Sequence, residues 1–265
     1  MATITILGTG NVGQHLAKAL HSAGHHIVQI YNRTPAHWQE LMSFLPKTTQ
    51  FTTHLAQLLP HTGLYLIAVA DDAVAAVSQT MPAVPGVVAH TSGATPMSTL
   101  AKHPRRGIFY PLQTFTAAHT VHFEQVPFCI DALLPADAAF LQNIARTLSP
   151  RVYAITDEQR RILHVAAVFA NNFTNHLLAI ADDICQTNGV PFEILKPLIA
   201  ETLKKTEQQP PRNVQTGPAK RADVHTITQH LQLLETQPQY RHLYRILSES
   251  IAKMYHGNLK LPFPE

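Results

Sequence analysis

The sequence predicts an α/β chain in which a doubly wound domain is followed by an all-helical one. Three observations carry this. Apolar runs of strand length alternate with segments of helical period through Ile155, a G-x-G-x-x-G pattern follows the first strand, and beyond Thr156 strand patterns stop while helical periodicity continues. The boundary therefore falls between 155 and 156, giving domains 1–155 and 156–265.

Length and composition set the frame. A chain of 265 residues with 45% hydrophobic residues has room for two cores. Its charged fraction, 14%, is low, and its net charge is +3. Basic residues are scattered apart from pairs such as Arg105-Arg106 and Arg160-Arg161, so no nucleic-acid-binding stripe is expected. Cys129 and Cys185 are far apart in apolar surroundings and give no disulfide framework. The N-terminus runs straight into a strand, and no apolar stretch approaches the ~20 residues of a membrane span. The expectation is a soluble cytoplasmic protein without a membrane partner.

The first unit is the most specific. Ile4-Thr5-Ile6-Leu7 reads as a strand, Gly8-Thr9-Gly10-Asn11-Val12-Gly13 as a tight turn, and Gln14 to Leu20 as a helix. In that order the glycines have separate tasks: Gly8 for the turn, Gly10 for close approach of a pyrophosphate, Gly13 for helix-to-sheet packing. The pyrophosphate is received by the free N–H groups of the helix start. Ile27 to Tyr31 is the second strand. It ends in Asn32-Arg33-Thr34 rather than in the Asp or Glu that binds the ribose hydroxyls of NAD. With no carboxylate to repel it, a 2′-phosphate can pair with the Arg33 guanidinium, and Thr34 stands where a helix start welcomes an anion. The site reads as one for NADP(H). The alternative makes Asn32 and Thr34 turn and cap residues and Arg33 a solvated charge.

The chain continues with a helix over 36–45, a strand at Gln50-Phe51, and a brief helix capped by Thr53. Leu64 to Ala70 is a continuous apolar run, as a buried parallel strand requires. Its end, Val69-Ala70, is placed against the cofactor, and Asp71 or Asp72 is expected to cap the next helix. Val87 to His90 forms another strand and runs into Thr91-Ser92-Gly93 at the ligand-binding edge of the sheet. Thr91 is assigned to the cofactor, and His90 and Ser92 to the substrate. The competing reading is a turn with a cap before Pro96. Gly107 to Tyr110 is a strand, and the Gln113-Thr114 pair after it sits between apolar residues, where it must find hydrogen-bond partners in the protein or a ligand. Strands at Phe128–Ala132 and Arg151–Ile155 bracket a helix and extend the sheet.

Asp157 to Thr187 reads as one helix of ~45 Å, followed by helices near 192–206, 224–235 (capped by Asp223) and 239–255. On the long helix His164, Val168, Asn171 and Asn175 are spaced four, three and four apart, which is one face of a regular α-helix. Hydride transfer at a C=O or C=N needs a proton donor and groups that hold the substrate. His164 and Asn171 are the catalytic candidates and Asn175 a substrate contact; the alternative is a set of satisfied polar groups at an interface. The histidines form no H-E-x-x-H or Cys/His cluster, so no metal is expected.

Five segments together carry a resemblance: Gly8 to Gly13, His90-Thr91-Ser92-Gly93, Tyr110 to Phe115, Leu163 to Ala167 through Asn171-Asn172-Phe173, and Gln215-Thr216-Gly217-Pro218-Ala219 with Arg221 and Asp223. The chain resembles, over essentially its whole length, the family that joins a Rossmann-like domain to the C-terminal domain of unknown function 2520. More distantly it is similar to ketopantoate reductase, pyrroline-5-carboxylate reductase and the 6-phosphogluconate dehydrogenase group. The resemblance implies an NADP oxidoreductase with a Rossmann domain. It also implies a helical domain of the 6-phosphogluconate dehydrogenase type that supplies substrate residues and forms a homodimer. One departure matters. The 3-hydroxyacid dehydrogenases of the wider class carry a lysine one turn before an asparagine pair, whereas here Val168 and Phe169 precede Asn171-Asn172 and the helix has no lysine. His164 is the titratable group left on that stripe. Arg221 either binds an anionic substrate group or pairs with Asp223. Two functions follow: an NADP(H)-dependent reductase of a small polar substrate, or a non-catalytic NADP-binding sensor.

Overall fold

The computed structural model describes residues 1–35, 38–116 and 119–257. Eight strands form a single sheet: β1 (Thr3–Leu7), β2 (His26–Tyr31), β3 (Gln50–Thr52), β4 (Leu64–Ile67), β5 (Val87–His90), β6 (Arg106–Pro111), β7 (Phe128–Ala132) and β8 (Val152–Ala154), in the order β3-β2-β1-β4-β5-β6-β7-β8. Pairings among the first six are parallel, β7 runs antiparallel to β6, and β8 is parallel to β7. The order reverses between β1 and β4, the switch point where open α/β sheets bind ligands.

The two-residue period of the strands sorts side chains between two cores. Ile4, Ile6, Leu64, Leu66, Val87 and Ala89 pack with Leu16 and Leu20 of α1 (Asn11–Ser22) and with Leu141 and Ile144 of α4 (Pro135–Arg146). Leu7, Tyr65, Ile67 and Val88 face the opposite way, against Val74 and Val77 of α3 (Asp71–Thr80). Helix α2 (Trp38–Phe44) closes the β2–β3 crossover, and residues 36 and 37, its expected start, lie outside the described residues.

Two expected caps are not made. Thr53 caps nothing: the short helical turn Leu55–Gln57 starts from His54 without a side-chain cap, and Thr52 Oγ1 accepts from the His54 N–H instead at 3.1 Å. Helix α3 begins at Asp71 itself, so Asp71 and Asp72 sit in its first turn. Ala70 takes the cap position, and the two carboxylates favour the helix start through its dipole alone.

The chain divides by packing into two compact units, Met1–Ala170 and Asn171–Glu265. The residue-texture boundary at 155/156 and this division differ by residues 156–170, which hold α5 (Asp157–Ala167) and its cap. Arg160 explains why α5 goes with the sheet. Only 1% exposed, it donates to the carbonyls of Ser92 at 2.6 Å and Thr95 at 2.5 Å and to Asp157 at 2.7 Å. Asp157 in turn accepts from the Met97 N–H at 2.9 Å. A reciprocal capping box between Thr156 and Gln159 starts the helix. Leu163 packs on Ile108, Tyr110 and Cys129, on the sheet face opposite Phe109 and Phe128.

The long helix is not regular. A π-helical stretch, Val168–Phe173, separates α5 from α6 (Thr174–Thr187). The second unit continues with α7 (Lys196–Gln208), preceded by the 3-10 turn Phe192–Leu195, then α8 (Pro211–Val214), α9 (Val224–Leu233) and α10 (Pro238–His256). Asp223 caps α9 as expected, accepting from the Thr226 N–H at 3.1 Å. The buried core here consists of Ala219, Ile227, Leu231 and Ala252. Among the described residues no helix is long and apolar enough to cross a membrane, and no group of three or more His, Cys, Asp or Glu side chains is placed to hold a metal.

Candidate functional site

The turn after β1 is closed by its glycines. Gly8 has φ +114°, and a Cβ there would lie 2.4 Å from the Ala68 carbonyl oxygen; one on Gly13 would lie 2.0 Å from the Gly8 carbonyl oxygen. Only glycine fits either place. A Cβ on Gly10 would meet nothing within 4 Å, so the open side of the loop lies at the helix start. Gly10 is the α1 cap residue and no side chain closes that end, which leaves first-turn N–H groups for an anion. Val12 packs its side chain on the core and brings only backbone to this edge. Asn11 is drawn sideways, donating to the Phe115 carbonyl at 3.0 Å.

Asn32 braces the loop. Its Oδ1 accepts from the Thr9 N–H at 3.3 Å and its Nδ2 donates to the Thr34 carbonyl at 2.7 Å. Both ends of the carboxamide are thus engaged by backbone, and Asn32 shapes the site rather than offering free groups to it. Gln14 adds a bond to the Thr9 carbonyl at 2.9 Å. Beside this frame lies a cavity of ≈ 810 Å³ lined by Gly8, Gly10, Arg33, Val69, Ala70 and Asp72 among others. Arg33 is exposed at its rim. A glycine cradle, an open helix start, a cavity of this volume and a guanidinium at the β2 end fit a phosphorylated dinucleotide. Thr91 is buried with its N–H on the Ile67 carbonyl at 3.1 Å, and it does not line this cavity.

His90 and Ser92, expected at the substrate, serve the fold. His90 is fully buried and its Nδ1 accepts from the Ser92 N–H at 3.2 Å. Burial first and the Arg160 charge second push its pKa down to about 4, against a weaker opposing pull from the Pro96 carbonyl. It is therefore neutral near pH 7. Ser92 Oγ accepts from the N–H groups of Ala94 at 3.1 Å and Thr95 at 2.9 Å, so the turn-and-cap reading describes this segment. Gln113 is exposed rather than buried, and its Oε1 accepts from the neighbouring Thr114 N–H at 2.8 Å. Arg221 lies 3.8 Å from Asp223 with 64% of its side chain exposed.

His164 is half-buried on α5 within the first unit. Its Nδ1 lies 3.2 Å from the Tyr110 hydroxyl, with the rings edge-on at 73°. Asn171 and Asn175 are exposed in the second unit. The face that joined them to His164 was counted on α-helical spacing, and the π stretch breaks that register between them. Sequence reasoning missed Tyr110, Gly93 and Arg160. For Arg160 a signal existed, since Thr156 and Gln159 form a capping box that fixes where α5 begins and hence which side of it is buried. For the other two the one hint was their place in the segments that carry the resemblance, and their contact with His164 was hidden because Tyr110 and His164 meet across 54 residues.

Comparison with known proteins adds a family and a set of folds. Residues 2–115 match the Rossmann-like domain, and residues 126–251 match the domain of unknown function DUF2520. No curated protein matches. A Bacteroides fragilis protein solved as a "putative NADP oxidoreductase" is 40% identical, with 95% of this chain and 98% of that chain covered and a TM-score of 0.83. A Streptomyces aurantiacus imine reductase is 13% identical, with 94% and 95% covered and a TM-score of 0.67. Pyrroline carboxylate reductase from Plasmodium falciparum, solved with NADP bound, is 13% identical, with 95% and 98% covered and a TM-score of 0.59. These last two likenesses concern the fold alone.

Proposed function

The chain belongs to the family that joins a Rossmann-like domain to DUF2520, and on that premise we propose that it is a cytoplasmic NADP(H)-dependent reductase or dehydrogenase of a small polar C=O or C=N substrate. The observation that carries this is Arg33, exposed at the rim of the cavity beside Gly8 and Gly10, where the second strand ends without a carboxylate. The first-turn N–H groups of α1 hold the pyrophosphate, and Arg33 and Thr34 hold the 2′-phosphate. The dinucleotide supplies or accepts the hydride when bound. His164 moves the proton, and Asn171 and Asn175 hold the substrate through their carboxamides. In this reading 1–155 is the cofactor domain and 156–265 carries substrate residues and a homodimer interface.

A thermal-shift series with NADPH, NADP⁺ and NADH, followed by NADPH oxidation with keto acids, imines and aldehydes, tests the reading. A ligand at a hundred times its Kd raises stability by about 2.7 kcal/mol. Arg33→Ala is expected to weaken NADPH by about tenfold to a hundredfold, the range of a charge-assisted pair, and to leave NADH unchanged. Equal loss for both cofactors refutes the 2′-phosphate assignment. Tight NADPH binding without turnover across the panel favours the sensor.

A further inference from the structure

We infer that Tyr110 is the positioning residue for His164: its hydroxyl engages Nδ1 and so leaves Nε2 as the nitrogen that moves the proton. This rests on the reading of His164 as the proton-transfer group of the reductase.

Two contacts and one brace hold the imidazole in one place. Tyr110 stands at the end of β6, 8% exposed and packed with Ile108, Cys129 and Leu163, so its hydroxyl is carried on a rigid strand. Gly93 lies against the ring: a Cβ there would sit 2.4 Å from His164 Nδ1, 2.8 Å from its Cγ and 2.9 Å from Tyr110 Cζ. The glycine is therefore required by the pair and not by its own backbone. Arg160, one helical turn before His164, is bonded to the carbonyls of Ser92 and Thr95 on either side of Gly93. Turn and helix are fixed to each other, and the ring is fixed between them and Tyr110.

The hydroxyl suits both protonation states of the ring, because its hydrogen rotates. It accepts from Nδ1–H of the imidazolium and goes on accepting from it in the neutral ring, which keeps that proton on Nδ1 and leaves Nε2 as the site that loses or gains one. In the reducing direction hydride from the reduced dinucleotide forms a C–H bond at the substrate carbon, and the π pair of the C=O or C=N moves to the heteroatom. That atom takes the Nε2 proton. His164 is left neutral with its Nδ1–H donated to Tyr110, and the dinucleotide is left oxidised. Tyr110 keeps its own proton throughout: burial first, with the nearby Cys129 adding to it, pushes the phenol up to about 12.

Long-range ¹H–¹⁵N spectra of the histidine rings test this without cofactor or substrate, with His164 assigned by its disappearance in His164→Gln. At alkaline pH the wild type is expected to show a protonated Nδ1, shifted as a hydrogen-bond donor, and an unprotonated Nε2. Tyr110→Phe, which keeps the ring and its packing, should lose that shift. With a substrate from the panel, Tyr110→Phe is expected to lower kcat by about tenfold with KM little changed, the pattern of lost orientation. A wild-type ring protonated on Nε2 when neutral, or a spectrum unchanged in Tyr110→Phe, overturns the inference even if His164 proves essential. Full turnover in His164→Gln, with the wild-type ring showing its Tyr110-dependent shift, instead overturns the proton-transfer reading on which it stands.

Discussion

The two units of this chain bury their apolar residues to very different extents. In the first, Ile4, Ile6, Leu7, the whole of Leu64–Ile67, and Val87 to Ala89 are at 0% exposure, covered by helices on both faces of the sheet. In the second, α6 and α7 have no buried residue, while Ile194, Leu198 and Leu203 are 65%, 63% and 58% exposed. Four buried apolar residues form its core, two of them alanine. A fully buried leucine or isoleucine contributes about 1.5–3 kcal/mol, so the sheet unit holds itself together and the helical unit leaves most of that contribution unrealised. Exposed apolar faces of this kind mark association surfaces, which is the physical support for the proposed homodimer.

The sharpest way to break the contrast is to damage the sheet unit from within. Arg160→Ala removes a buried cation and leaves two carbonyls and Asp157 without it. Loss of one partner of a buried pair costs about 3–5 kcal/mol, and Asp157 is 26% exposed, which favours the lower end. Chemical denaturation should read a fall of about 3 kcal/mol in the transition of the sheet unit. A change below about 1 kcal/mol would show that α5 is held by packing alone.

Acid tests the same unit with slightly less force. The folded pKa of His90 is pushed down to about 4, while in the unfolded chain it stands at the ordinary 6.5. Between these values the unfolded state binds a proton that the folded state excludes. The stability contributed by keeping His90 neutral is complete above pH 6.5 and falls as the pH drops towards 4, by about 3 kcal/mol in total. His25 and His103 are shifted the same way by burial and add to the slope. Denaturant midpoints measured from pH 7 to pH 4 should fall accordingly, and His90→Gln should flatten the curve. An equal slope in the variant would assign the acid sensitivity elsewhere.

The smallest expected effect concerns the helical unit. Leu198→Glu places a charge on the α7 face. It should weaken self-association by about tenfold or more, as read by sedimentation, with the sheet transition unmoved. An unchanged association constant would place the interface on another face.

The same contrast explains what the sequence discloses. In the sheet unit, alternation assigns side chains to faces, glycines mark the close approaches, and the strands fall where the apolar runs lie. Arg33 at the cavity rim was legible because a strand followed by Asn-Arg-Thr has one geometry. His164 was legible only as a candidate, since its partner arrives from β6 and the glycine beside it from the turn after β5. The spacing that joined Asn171 and Asn175 to His164 rests on a regularity the helix does not have. Counting by fours and threes assumes an uninterrupted α-helix, and Val168-Phe169-Ala170-Asn171-Asn172-Phe173 shows no Gly or Pro to announce a change of pitch. His90 misled because a strand end at the ligand-binding edge can face inwards as easily as outwards.

The reversal of β7 and β8 also acts as a routing device. Had these strands followed the direction of the first six, the chain would have left the sheet at the ligand-bearing edge, and the next helix would have carried its residues away from it. Because they run backwards, β8 releases the chain beside Ile130, opposite the middle of β6. Helix α5 then travels up the sheet and brings His164 to Tyr110 at the end of β6. Because β7 and β8 run the same way, either one alone would release the chain at that end, so it is the single reversal between β6 and β7 that any shortened version of this fold must keep.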